Sequence, residues 1–155
     1  MYQNDVLPYT LGELIDVEFI AKVAAIDTVT TLVFGLASAR NDTPDSVSYR
    51  AWFRMEGSAS LTAVVCETDD NVTAREDQAT GTTLAATYKK FLIDFSQGLS
   101  KVGFYVDGAL VKTLDMSGAA ATQGMQLIAQ IQKGSGTGVP SVTIGRVAVR
   151  ARLTY

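Results

Sequence analysis

The sequence predicts an all-β protein, a two-sheet antiparallel sandwich. Three observations predict it. Apolar residues recur with period two along most of the chain. Clusters of turn-forming residues separate these runs at the spacing expected of sandwich strands. No stretch carries a convincing helical pattern.

In "DVEFIAKVAA", Val17, Phe19, Ala21 and Val23 share one face, with Asp16, Glu18, Ile20 and Lys22 on the other. That is a strand with one wet face. "TTLVFGLAS" is apolar at nearly every position and reads as a central strand, where Gly35 marks a bulge or a close backbone approach. "ARNDTPDS" has the composition of a loop. In "VSYRAWFRM", Val47, Tyr49, Ala51, Phe53 and Met55 alternate with Ser48, Arg50, Trp52 and Arg54. "EGSA" turns the chain into the strand "LTAVVCET".

Residues 68–87 are polar and rich in Thr, Ala and Asp, and read as a long loop with one short strand near Val72-Thr73. "YKKFLIDF" places Phe91, Ile93 and Phe95 on one face. "GFYVDGALVKTL" then predicts a hairpin. Asp107-Gly108 suits a type I′ turn, which needs positive φ at both central residues. "SGAAATQG" and "GSGTGVP" are connections. Between them, "MQLIAQIQK" fits helix or strand by propensity, and the alternation of Met125, Leu127, Ala129 and Ile131 favours strand. The last strand, "SVTIGRVAVRARLTY", is long and kinked at Gly145, with Val147, Val149, Ala151 and Leu153 inward.

At 155 residues the chain fits one domain, read as an N-terminal arm (1–12) and a sandwich (13–155). The polar start "MYQNDVLPYT" does not read as a signal peptide, and no apolar run reaches the ~20 residues of a membrane helix. Net charge is −3, which does not suggest nucleic acid, but it is unevenly spread. Residues 1–45 carry seven acids and two bases; residues 116–155 carry four bases and no acid. Pairing the first strand with the last would set Asp16 and Glu18 against Arg146 and Arg150, each pair contributing ~0.2–1 kcal/mol and fixing the register. The same arginines read alternatively as a basic patch for a partner.

The sequence is poor in reactive chemistry. It has no His, so a Ser or Cys nucleophile lacks its usual base. Cys66 is the only cysteine and lies in "TAVVC", the setting of a buried, inert thiol. Glycoside hydrolysis on a sandwich uses carboxylates on one strand face, often as E-x-D-x-E. The nearest matches are "IDVEF" and "CETDD". "ETDDNVT" and "RNDTPD" are candidate calcium loops that read more simply as solvated turns. No metal or other cofactor is expected. Trp52, beside Arg50 and Arg54 on the wet face, is either a contact residue or lies under a loop or second sheet.

The order of these elements resembles the concanavalin A-like lectin/glucanase jelly roll in its LamG-type form, over roughly residues 13–153. "YKKFLIDF…VGFYVDGALV" carries the likeness, with Lys where that family often has His. More narrowly, "VFGLASARND" followed by "WFRMEGS" resembles jelly-roll proteins of tailed-phage virions. No metal ligand, sugar ligand or glucanase acid triad of the family is matched. The resemblance implies a non-enzymatic structural protein on the capsid surface of a virion assembled in the host cytoplasm. It would be a decoration or cement subunit that binds the major capsid protein and neighbouring copies of itself. Trp52, Arg50, Arg54 and Arg150 are its expected contact residues, with the N-terminal arm crossing to a neighbouring subunit. A lectin-like module of a tail fibre, binding a glycan, is the alternative.

Overall fold

The structure is a computed structural model that describes residues 3, 6–83, 86–138 and 140–152. Eleven strands follow in order: β1 (Tyr9–Thr10), β2 (Leu14–Ala25), β3 (Thr30–Ala37), β4 (Tyr49–Glu56), β5 (Ala63–Asp70), β6 (Ala74–Thr83), β7 (Lys89–Asp94), β8 (Val102–Val106), β9 (Ala109–Leu114), β10 (Gly124–Lys133) and β11 (Ser141–Ala151). They form a six-stranded sheet, β1-β10-β3-β4-β5-β6, and a five-stranded sheet, β11-β2-β7-β8-β9. All the pairings are antiparallel.

The period-two pattern places one face of each strand between the sheets. Val17, Phe19 and Ala21 of β2 meet Phe34 of β3, Phe53 of β4, Phe91 and Ile93 of β7 and Phe104 of β8 in one core. Phe53 sits at its centre. Its ring centroid lies 5.7 Å from Phe34, 5.0 Å from Phe91 and 5.3 Å from Phe104. Such tilted and offset pairs suit the aromatic quadrupole.

Local signals place several features. Asp107 and Gly108 have φ of 50° and 85°, closing β8 onto β9 through the expected two-residue turn. The Asp107 carboxylate also accepts the backbone N–H of Lys90 at 2.9 Å, tying the turn to β7. Gly35 is a close approach. A Cβ there would stand 2.6 Å from Trp52 Cα and 2.7 Å from Trp52 Cβ. β11 pairs with β2 as the charges require, with Arg150 opposite Asp16 and a register shift between Ile144 and Arg146 at Gly145. Arg150 Nε donates to Asp16 Oδ1 at 2.9 Å, and Glu18 faces Lys90 at 2.7 Å and Arg146 at 3.8 Å.

Four expectations are corrected. The stretch read as a long loop at 68–87 instead extends β5 to Asp70 and forms the ten-residue β6. β6 is the edge of its sheet and mostly exposed, so it carries no apolar stripe to announce it. Val47 does not join the core between the sheets, because a 3-10 turn at Pro44–Ser46 swings it to the opposite side of β4, beside Trp52. Ala151 follows a second register shift and is exposed, while Leu153 lies outside the described residues. Of the N-terminal arm, Tyr9 and Thr10 pair with Met125 and Gly124 of the same chain, and Gln3 Oε1 accepts the N–H of Leu127. The described part of the arm thus packs on its own sandwich.

Candidate functional site

β4 projects Arg50, Trp52 and Arg54 away from the aromatic core, onto the outer face of the six-stranded sheet. The neighbouring strand β5 sends Glu67 and Asp69 to the same face, with Trp52 opposite Glu67 and Arg50 opposite Asp69 in register. These residues are not exposed. Trp52, Arg50 and Glu67 are each 0% accessible and Arg54 is 5% accessible. The connection between β3 and β4 folds over them. Val47 from this connection packs with Trp52, Val33, Ala37 and Ile128 as a second, smaller core.

Glu67 is the hub. Oε2 accepts the Trp52 indole N–H at 2.7 Å; Oε1 accepts from Arg54 Nη1 at 3.1 Å and from the Asp77 backbone N–H at 3.3 Å. Arg50 Nε stands 3.7 Å from Oε2. Around this centre, Arg50 pairs with Asp69 at 2.9 Å and Glu76 at 2.6 Å, while Arg54 pairs with Glu56 at 2.6 Å and with Asp45. Arg50 Nη1 also donates to Val47 O at 2.6 Å. The two arginines therefore clamp the covering loop to the sheet. Burial pushes the Glu67 carboxyl up, against the pull of the Trp52 N–H and the two guanidinium groups. Burial also opposes the charge of Arg54, but Glu67 and Asp45 hold it protonated.

Three of the four expected contact residues, Trp52, Arg50 and Arg54, are thus sealed inside; for Trp52 the alternative, cover by a loop, holds, a choice that the alternation of the strand alone does not make. Arg150 remains on the surface, its side chain 71% accessible and paired with Asp16. The residue that the contact reading missed is Glu67. Its signal lay in the turn: folding 49–56 back on 63–70 puts Glu67 between two arginines.

Of the carboxylates weighed for hydrolysis, Glu67 and Asp69 share a face, but both Glu67 oxygens are occupied and neither is reachable. Asp70 points elsewhere. Its oxygens accept the N–H groups of Val72 at 3.0 Å, Thr73 at 2.7 Å and Gly118 at 3.0 Å. Burial disfavours its charge, yet these three donors hold its pKa below the ordinary 3.8. Its contribution to stability is complete above pH 3.8 and is lost as the pH falls through the lower folded value. Asp70→Asn should cost about 1–3 kcal/mol at pH 7, since the amide presents one acceptor oxygen to three donors. Urea titrations at pH 7 and pH 3 should show this gap closing on acidification. Both candidate calcium loops spend acids on protein donors, and among the described residues no three acidic or Cys side chains gather as a metal site. Cys66 is buried and its thiol is pushed up to about 12 by that burial. A thiol so shifted stays protonated at pH 8. Native protein should leave a colorimetric disulfide reagent unreacted over hours and consume one equivalent once unfolded.

By sequence the chain matches no protein-family model and no curated protein. By structure it is similar to a Bacillus licheniformis beta-glucanase, with TM-score 0.63, 18% identity, 92% of this chain covered and 67% of that one. It is similar to the Emp47p carbohydrate recognition domain, with TM-score 0.66, 11% identity, 94% of this chain and 75% of that one. It is similar also to the Caenorhabditis elegans galectin LEC-6, with TM-score 0.55, 11% identity, 96% of this chain and 89% of that one. The fold is a concanavalin A-like jelly roll. At these identities the likeness extends to fold alone, and this fold serves enzymes and lectins alike. The comparisons lend no support to the resemblance to tailed-phage virion proteins, which rests on the sequence motifs.

Proposed function

We propose that this chain is a non-catalytic docking module: a structural subunit of a tailed-phage virion that decorates the capsid shell by binding the major capsid protein and further copies of itself. The observation that carries the non-catalytic part is the sealing of Glu67. Of the two strands that come near a hydrolytic acid pattern, β5 has the Glu67 carboxylate spent on Trp52 and Arg54 and closed off from solvent, and β2 has Asp16 and Glu18 paired with basic side chains. The virion assignment draws on the motifs "VFGLASARND" and "WFRMEGS". Repetition on a symmetric shell would let weak contacts sum through avidity. Of the contact residues expected from sequence, Arg150 is the one exposed enough to serve. The test is immunogold labelling of intact virions with an antibody to this chain. Gold over heads is expected; a working positive control with bare heads would end the reading.

A second reading, glycan binding, is favoured by the two carbohydrate-recognition proteins among the structural neighbours. A panel of soluble glycans tests it directly, and binding by wild-type protein with bare heads would exchange the order of the two.

A further inference from the structure

On the outer face of the five-stranded sheet the acids are recessed and the bases stand out. Glu18 of β2 takes Lys90 of β7 at 2.7 Å and Arg146 of β11 at 3.8 Å, and Asp16 takes Arg150. The side chains of Asp16 and Glu18 are 6% and 14% exposed, whereas those of Lys90, Arg146 and Arg150 are 49%, 62% and 71% exposed. Asp94, opposite Asp16, is half-buried and accepts the N–H of Ser96 at 2.8 Å. Lys22 adds a further cation, 5.4 Å from the centroid of the Tyr88 ring, which rests on Gly145 of β11. The charge that this face shows to solvent is therefore mainly positive.

The outer face of the six-stranded sheet has the reverse arrangement. The side chains of Arg50 and Arg54 are 0% and 6% exposed, and the carboxylates of Asp45, Glu56, Glu67, Asp69 and Glu76 surround them. Asp45 and Glu76 are each 46% exposed, and Asp42 of the covering loop is 78% exposed beside Arg40. Here the bases are recessed and negative charge stands out.

The two faces lie on opposite sides of the sandwich, since the core fills the space between the sheets. Two copies meeting through like faces would set cation on cation or acid on acid. Unlike faces are complementary. A polyanion such as nucleic acid calls for an unbalanced basic excess, and the whole chain has net charge −3. A second copy brings the matching acids with it.

From this arrangement we infer that copies of this chain associate face to back, the cation-bearing outer face of the five-stranded sheet of one copy docking on the acid-bearing outer face of the six-stranded sheet of the next. The inference rests on the reading of a module that binds copies of itself, and supplies the two faces of that contact. Such a heterologous contact passes from copy to copy as a row unless its rotation closes a ring. Each exposed ion pair adds little, so the contact is weak singly and gains by repetition.

Sedimentation velocity of the full chain over a concentration series tests it. In low salt, wild type should sediment faster as its concentration rises. Going from about 20 mM to about 500 mM salt should weaken the association at least tenfold, because screening then acts within a few ångströms. Lys22→Glu with Arg146→Glu reverses the basic face and leaves Lys90 with Glu18 and Arg150 with Asp16. Asp42→Lys with Glu76→Lys reverses the acidic face and leaves Asp69 with Arg50 and Asp45 with Arg54. Each double variant alone should remain monomeric. Mixed in equal amounts, the two should form a dimer of one copy each, since each keeps the face the other has lost and neither can extend the row. Monomeric wild type at every concentration would overturn the inference and leave the capsid reading to its own gold label. Association that survives high salt, or that either variant shows alone, would place the contact elsewhere and overturn it as well. Retention of duplex DNA by wild type in place of self-association would assign the basic face to a polyanion instead. Should a variant lose its fold by circular dichroism, carbodiimide coupling of wild type decides. With half of the copies isotope-labelled, amide links between copies should join Lys22 or Lys90 to Asp42, Asp45 or Glu76, and their absence would overturn the proposal.

Discussion

Glu67→Ala should destabilise the protein by about 3–5 kcal/mol, read as a fall in the urea midpoint. Removing one partner of a buried ionic group leaves the opposite charges uncompensated where water cannot reach them. Here the variant takes from the Trp52 indole N–H its acceptor and from the two arginines the one carboxylate they share under the loop between β3 and β4, while Asp69 and Glu76 stay with Arg50, and Asp45 and Glu56 with Arg54. Arg50 Nε and Arg54 Nε are already buried without a hydrogen-bond acceptor, so little slack remains to absorb the loss. Glu67→Gln separates charge from shape. It keeps an oxygen for the Trp52 N–H and the volume of the side chain, so it should cost less than the alanine variant. The loop should report the same event. Hydrogen exchange at residues 43–48 should quicken in Glu67→Ala, because the arginines that hold Asp45 and Val47 lose their common anchor. Equal stability of the alanine variant and wild type would show that the cluster is dispensable.

Phe53→Ala should cost a similar amount, about 3–5 kcal/mol, for a different reason. Phe53 is fully buried at the centre of the sandwich and touches aromatic rings from both sheets. Truncation removes apolar burial, leaves a cavity that close-packed strands cannot collapse into, and breaks three ring pairs. Phe53→Leu preserves most of the volume and should lose only about 1.5 kcal/mol. Urea melts of the three proteins, with similar slopes and shifted midpoints, check both values. The two variants also probe opposite faces of the six-stranded sheet. Their effects should add only in part in the double variant, since Phe53 and Glu67 lie close together on the paired strands β4 and β5.

Much of this molecule is legible from residue order. Alternation names the inward residues of β2, β4 and β7, and Asp-Gly places a hairpin wherever it falls between apolar runs. The opposed charges of the two chain ends anticipate the pairing of β2 with β11, because acids and arginines on one face hold a register that a slip would break. The near-absence of reactive side chains is likewise written in composition: no His, one Cys, and few acids that could share a strand face.

Tertiary structure alone decided the rest. β6 is an edge strand with two wet sides, so hydrophobicity carries no trace of it, and its pairing with β5 comes from backbone hydrogen bonding. Trp52, Arg50 and Arg54 look exposed to any reading of period two, since that period states which residues share a face and not what covers the face. A loop brought over β4 by a 3-10 turn converts that wet face into a small second core beside the Glu67 cluster. The contact of Tyr88 with Gly145 arises the same way. Tyr88 and Gly145 are 57 positions apart in sequence, and only the lateral order of β11, β2 and β7 lays one on the other. Local pattern determined which residues point inward, because that depends on the geometry of a single strand; coverage of the outer faces depended on which segments the closed sheets bring together.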